Sequence, residues 1–140
     1  MQNLFTYGSL MCQDIMSAVT GGQLNHSPAL LLQYRRFLVK NEQYPGVFPS
    51  DGGLVNGIVY HGISPKVWSR LDRFEGEMYS RCPVTVLYEN GAEAQVCCYV
   101  FKPEFRQQLT DEEWKFETFL HHGKKIFQTR YAGFRDIICA

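Results

Sequence analysis

Residues 79–101 read YSRCPVTVLYENGAEAQVCCYVF. Two apolar runs, Tyr79 to Tyr88 and Ala92 to Phe101, flank Asn90-Gly91. Asn and Gly tolerate the positive φ of a tight reversal, so this spacing predicts an antiparallel hairpin. Just upstream, Ser64-Pro65 opens a helix, with Ser as the N-cap and Pro at the first helical position. That helix runs to about Glu75, and Gly76 stops it. Farther out, Leu54 to Tyr60 reads as a strand. Tyr44 to Gly53 carries Pro45-Gly46, Pro49 and Asp51-Gly52-Gly53, turn chemistry that predicts a loop around a brief extended piece. Ala29 to Val39 is apolar except at Gln33 to Arg36 and reads as one bent strand or two. Leu4 to Tyr7 is a short strand broken at Gly8-Ser9, and Gln13 to Thr20 is a short helix ended by Gly21-Gly22. On the C-terminal side, Asp111-Glu112-Glu113 reads as the start of a helical stretch, its acids at the positive end of the dipole. Phe116, Leu120, Gly123 and Phe127 space as one face of that stretch. The order is mixed and no βαβ repeat is present. The expected fold is α+β: one domain over residues 1–140, a small, curled, mainly antiparallel barrel-like sheet with flanking helices.

Composition narrows the function. Of 140 residues, 45% are hydrophobic and 20% charged, a globular balance that can bury a core. Fourteen basic and fourteen acidic residues cancel, so no net charge draws the chain to nucleic acid or an anionic membrane. Lys124, Lys125 and Arg130 read as a solvated helix face. The N-terminus has neither a basic start nor a long apolar run, and no stretch has the length of a membrane span; a cytoplasmic protein is expected. The five cysteines, Cys12, Cys82, Cys97, Cys98 and Cys139, read as reduced thiols. Neither adjacent Cys97 and Cys98 nor adjacent His121 and His122 can converge on one metal, and no metal site is expected.

Glu75 is the most informative acid. On a helical wheel at about 100° per residue, Val67, Trp68, Leu71 and Phe74 form one face and Glu75 falls between Leu71 and Trp68. A carboxylate on that side faces the core or a pocket, and burial raises its pKa toward neutrality, as a general base requires. The helix C-terminus, which disfavours negative charge, pushes the same way. The plain alternatives are a frayed helix end and an ion pair with Arg81. Tyr7-Gly8-Ser9-Leu10 follows the first strand; its successive N–H groups can receive a carboxylate or an oxyanion, or it is an ordinary strand-to-helix turn. Ser9 as a nucleophile lacks a G-x-S-x-G elbow, with His26 and His61 the unassigned histidines that a hydrolase would need. Cys12 reads as a small buried hydrophobe rather than a reactive thiol. Tyr79 and Arg81 share a strand face beyond Glu75, and Tyr44-Pro45-Gly46 is a candidate pocket rim.

Tyr7-Gly8-Ser9-Leu10, Tyr44-Pro45-Gly46, Leu71-Asp72-Arg73-Phe74-Glu75-Gly76, Tyr79 and Arg81, in this order, resemble the gamma-glutamylcyclotransferase-like family, in the branch named after plant avirulence-induced proteins. Trp114, Phe116, Phe119 and Tyr131-Ala132-Gly133-Phe134 are similar to the tails of that branch. The resemblance implies a β-barrel-like fold with flanking helices. It implies a small-molecule gamma-glutamyl substrate held by Tyr7, Gly8, Ser9, Leu10 and Tyr79, with Glu75 as catalytic base and Glu77 as the near alternative. The implied reaction closes the substrate's own α-amine onto its γ-carbonyl, releasing 5-oxoproline and an amine, with no metal or organic cofactor. The rival expectation is a non-catalytic binding module with the same pocket.

Overall fold

The computed structural model describes residues 2–138. In chain order it contains β1 (Gln2–Thr6), α1 (Gln13–Thr20), β2 (His26–Val39), β3 (Pro45–Ile63), α2 (Pro65–Glu75), β4 (Tyr79–Tyr88), β5 (Glu93–Phe101) and β6 (Leu109–Glu113). Three helices follow: α3 (Phe116–Thr118), α4 (Lys124–Arg130) and α5 (Ala132–Ile138), with a π-helical turn, Phe119–Gly123, between the first two.

Five strands close a barrel in the order β3-β1-β5-β4-β2, with β2 returning to β3. Only β1 and β5 run parallel among the paired strands described. The closed, mainly antiparallel sheet of the expected α+β fold is therefore present. The hairpin that anchors it pairs Leu87 with Glu93 and runs to Tyr79 with Phe101. Its turn puts Gly91 at φ 88°, while Asn90 stays at negative φ and accepts from the Ala92 N–H through its side chain. That is a type I reversal with a glycine bulge rather than a two-residue turn.

Both short helices have the expected ends. Gly21 closes α1 at φ 86°, and Ser64 Oγ accepts from the Val67 N–H at the start of α2. Two expectations fail. Residues 44–53 are not a loop, because β3 is continuous from Pro45 to Ile63. Pro45 to Pro49 pairs with Leu38 to Tyr34, Leu54 resumes opposite Leu32, and residues 50–53 form a bulge between them. Gln33, at φ 68°, faces that bulge and accepts from the Gly52 N–H through Oε1. The Pro and Gly signals are thus spent on a bend inside a ladder, and β2 is one strand bent at Gln33. Asp111-Glu112-Glu113 likewise ends strand β6, which pairs with the far end of β2 at Phe37 and Val39. Pairing with an open edge decides that segment over its local charge pattern. On the helices beyond, Phe119, Gly123 and Phe127 are buried, while Leu120 is 42% exposed. The π-turn shifts the inward face by one residue from the expected one.

Alternation sorts the core. Phe5, Leu31, Val59, Val86, Val96 and Cys98 belong to a cluster built only from strand residues and their flanks, the barrel interior. Leu4, Tyr60, Tyr99 and Phe101, on the other face, pack with Ile15, Leu71, Phe74, Phe127 and Phe134 from the helices. Among the described residues, no helix is long and apolar enough to cross a membrane. Lys124 pairs with Asp14 at 2.8 Å, and Lys125 and Arg130 are exposed, a solvated face as expected.

Candidate active site

Where β1 ends, a pocket open at its mouth takes walls from both cores. It is lined by Phe5 to Leu10, by Tyr44 and Pro45, by Phe74 and Glu75 at the end of α2, and by Tyr79, Tyr99, Phe127 and Tyr131. Every residue expected to hold substrate, Tyr7, Gly8, Ser9, Leu10 and Tyr79, is on that wall together with Glu75. Glu75 is the only acidic or basic residue among them.

Glu75 reaches the pocket because α2 buries Trp68, Leu71 and Phe74, which rolls the next position to the edge of the same face. The helix end is not frayed. Tyr131 donates its hydroxyl to the Phe74 carbonyl at 2.6 Å and the Glu75 carbonyl at 3.0 Å, satisfying two of the acceptors a helix end leaves open. Nor is Glu75 paired with Arg81. That guanidinium lies 4.3 Å from the Trp68 ring centroid and 3.5 Å from Asp72 Oδ1. Arg81 therefore does not line the pocket with Tyr79. Burial, and then the charge of Asp72 one turn earlier, push the Glu75 carboxyl up from an ordinary 4.5 to about 8. Glu77 lies in the exposed turn beyond α2, away from the pocket wall.

Around the acid stand tyrosines whose hydroxyls are committed elsewhere. Tyr7 donates to the Tyr99 carbonyl, Tyr79 to the Pro45 carbonyl at 2.7 Å, and Tyr99 to Asp72 Oδ1 at 2.6 Å. Burial raises each of these phenols above its ordinary value, so they stay neutral at physiological pH. They shape the wall. Gly8 is required by its own neighbour: a Cβ there would sit 2.8 Å from Pro45 Cδ. The missing side chain makes room for the opposite wall, not directly for a ligand.

The loop after β1 is a short 3-10 turn, Ser9–Met11. Its carbonyls are engaged: Gly8 O accepts from Met11 N and Ser9 O from Cys12 N, while Leu10 O receives the Tyr60 hydroxyl. Among the described residues, the N–H groups of Gly8, Ser9 and Leu10 have no acceptor. Three adjacent free donors beside one raised carboxyl can receive an anion and a proton in the same pocket.

The histidines are occupied outside it. His26 bonds Gln13 at 2.9 Å and His61 bonds Ser27 at 3.0 Å; neither lines the pocket, so neither serves Ser9 as a base. Cys12 is buried, and burial pushes its thiol up to about 11. Replacing Cys12 with Ser is expected to leave turnover of any substrate of this pocket within about three-fold, since an inert thiol contributes packing alone; steady-state assays beside the parent check this. Cys139 lies outside the described residues.

Comparison with known proteins bears on the family and the fold. A family model described as "Gamma-glutamyl cyclotransferase, AIG2-like" matches residues 4–116. AIG2-like protein C of Arabidopsis thaliana is 35% identical over 135 residues, 96% of this chain and 78% of that one. A solution structure from Arabidopsis thaliana superposes with a TM-score of 0.72 at 32% identity, covering 91% of this chain and 78% of its own. A structure titled gamma-glutamyl cyclotransferase superposes at 0.65 with 19% identity, covering 72% and 66%, a likeness of fold. With its barrel and the span of the match in accord, the chain belongs to the gamma-glutamyl cyclotransferase, AIG2-like family.

Proposed function

We propose that this protein is a gamma-glutamylcyclotransferase, with a gamma-glutamyl amide as its small-molecule substrate. The observation that carries the reading is the meeting of one desolvated carboxyl, Glu75, with three free backbone donors in one otherwise neutral pocket. A gamma-glutamyl group brings an α-ammonium and an α-carboxylate. With no basic side chain on the wall, the N–H groups of Gly8, Ser9 and Leu10 receive the carboxylate. The ammonium is thereby set against Glu75.

Glu75 takes a proton from the ammonium. The freed amine attacks the γ-carbonyl carbon, a C–N bond forms, and a five-membered ring closes. Glu75 returns its proton to the departing nitrogen as the old amide C–N bond breaks, and it carries the second proton from the ring nitrogen to the departing nitrogen in the same way. In sum, two protons leave the ammonium nitrogen and the departing nitrogen gains two, so 5-oxoproline and an ammonium ion are released and Glu75 ends as it began. The nucleophile is part of the substrate, so folding it into the ring-closing conformation supplies much of the rate. These steps need no metal or organic cofactor, and the reading calls for neither nucleic acid nor membrane.

The pH–rate profile tests it. In the free enzyme Glu75 must ionise to act, so kcat/KM for 5-oxoproline release is expected to rise with pH and bend near 8. In the complex the bound ammonium favours the carboxylate, so the limb in kcat is expected at lower pH. A profile flat between pH 6 and 9 contradicts the reading.

A further inference from the structure

The three free donors are aimed by the carbonyls behind them. A trans peptide is planar, with its C=O and N–H pointing in opposite directions. Fixing a carbonyl therefore fixes where the next N–H points. The Ser9 and Leu10 donors are set locally, because Gly8 O and Ser9 O accept within the turn from Met11 N and Cys12 N. The Gly8 donor is not. Its peptide begins at the Tyr7 carbonyl, which accepts from Arg36 Nη1 at 2.8 Å, 29 residues away on β2.

Arg36 is itself held. The same Nη1 donates to the Asn56 carbonyl at 3.1 Å on neighbouring β3. Its guanidinium lies 5.1 Å from the ring centroid of Trp114, which follows β6. Trp114 is buried and donates its indole N–H to the Gln43 carbonyl at 2.8 Å. Gln43 leads directly into Tyr44 and Pro45, the wall facing the Gly8 loop. One stacked pair thus grips both sides of the pocket from behind, while neither Arg36 nor Trp114 lines it.

We infer that Arg36, seated on Trp114, is a positioning residue for carboxylate binding: it aims and polarises the Tyr7–Gly8 peptide so that the Gly8 N–H faces the substrate anion. A cation on the carbonyl side of a peptide draws electron density from the nitrogen and strengthens the N–H as a donor. This rests on the gamma-glutamyl reading for the identity of the anion. A full carboxylate charge is present in both bound substrate and transition state, so the contribution falls on KM more than on kcat.

The test compares Arg36→Met, Arg36→Lys and, as a control, Arg35→Met, a neighbour on the exposed side of β2. Arg36→Met is expected to raise KM for a gamma-glutamyl substrate by about 10- to 30-fold with kcat within about three-fold. Arg36→Lys, keeping the charge without the fork and the stack, should fall between, and Arg35→Met should match the parent. Amide NMR with L-5-oxoproline, which carries the same carboxylate, gives a second readout free of catalysis. Its addition should shift the Gly8 amide in the parent and much less in Arg36→Met. Should Arg36→Met not fold, an intermediate KM in a stably folded Arg36→Lys supports the role. A purely structural role predicts less active enzyme, with kcat lowered and KM unchanged, and that split overturns the inference. So does a Gly8 amide that ignores 5-oxoproline in the parent. A parent without turnover whose Gly8 amide still responds through Arg36 sinks the proposed reaction and leaves this role standing.

Discussion

Glu75→Gln is expected to lower 5-oxoproline release by about two to four orders of magnitude, roughly 3–5 kcal/mol of barrier. The amide keeps the size of the carboxyl and its place on the wall but cannot take a proton. Binding of the gamma-glutamyl group should survive, because the Gly8–Leu10 donors are untouched. Stability moves the opposite way from activity. The folded protein holds the Glu75 carboxyl up at about 8 against an ordinary 4.5, so between those values the folded state binds a proton that the unfolded chain has lost. Stability therefore falls as pH rises through that window. The glutamine variant has no such loss. Its melting temperature should match the parent's near pH 4.5 and exceed it near pH 8–9, by the equivalent of about 1–3 kcal/mol. Glu77→Gln should change neither readout appreciably, since that residue sits in the exposed turn.

Gly8→Val is expected to abolish substrate binding, with KM raised by more than about 100-fold. The new Cβ would lie 2.8 Å from Pro45 Cδ and 2.9 Å from Pro45 Cγ, and the two methyl groups beyond it add to the crowding. Either the Gly8 loop or Pro45 must give way. Pro45 is not free to do so alone, because its carbonyl holds the buried Tyr79 hydroxyl at 2.7 Å and Tyr79 packs edge-on to Phe101 at 5.3 Å. The strain should also cost about 1–3 kcal/mol of stability, as overpacking does elsewhere. Gly22→Val is the matched control: no atom lies within 4 Å of a Cβ built there, so binding should be unchanged and stability within about 0.5 kcal/mol. Calorimetric titration of both variants, with thermal melts, separates the local effect from a general one.

What the sequence made legible follows from where each element's information lies. α2 has its whole specification inside it: an N-cap Ser, a Pro, an apolar face and a terminal Gly. The same holds for α1 and for the β4–β5 hairpin. The N-terminal half of β3 does not carry its own specification, because it pairs across a bulge that only β2 completes, through Gln33 and Gly52. β6 is acidic and becomes a strand because the end of β2 is open to it. The site divides in the same way. Glu75 was marked by its wheel position, and Tyr7 to Leu10 by a strand ending on a glycine. Tyr44 and Pro45 were suspected as a rim and are on the wall. Tyr99, Phe127 and the Tyr131 hydroxyl that ties down the end of α2 were invisible as site residues, for nothing in their local sequence says which cavity they face. Arg36 was read only as an interruption in an apolar strand. Its hold on Tyr7 spans 29 residues of chain and belongs to the closed barrel alone.

The most direct measurement is 5-oxoproline released by the purified parent from a panel of gamma-glutamyl compounds: peptides, amino acids and a lysine side-chain amide, assayed near pH 8. Release from at least one of them is expected, in equal amount with the freed amine. If no member of the panel yields 5-oxoproline while the pocket still binds gamma-glutamyl ligands, the cyclotransferase reading is contradicted and the pocket is that of a binding module.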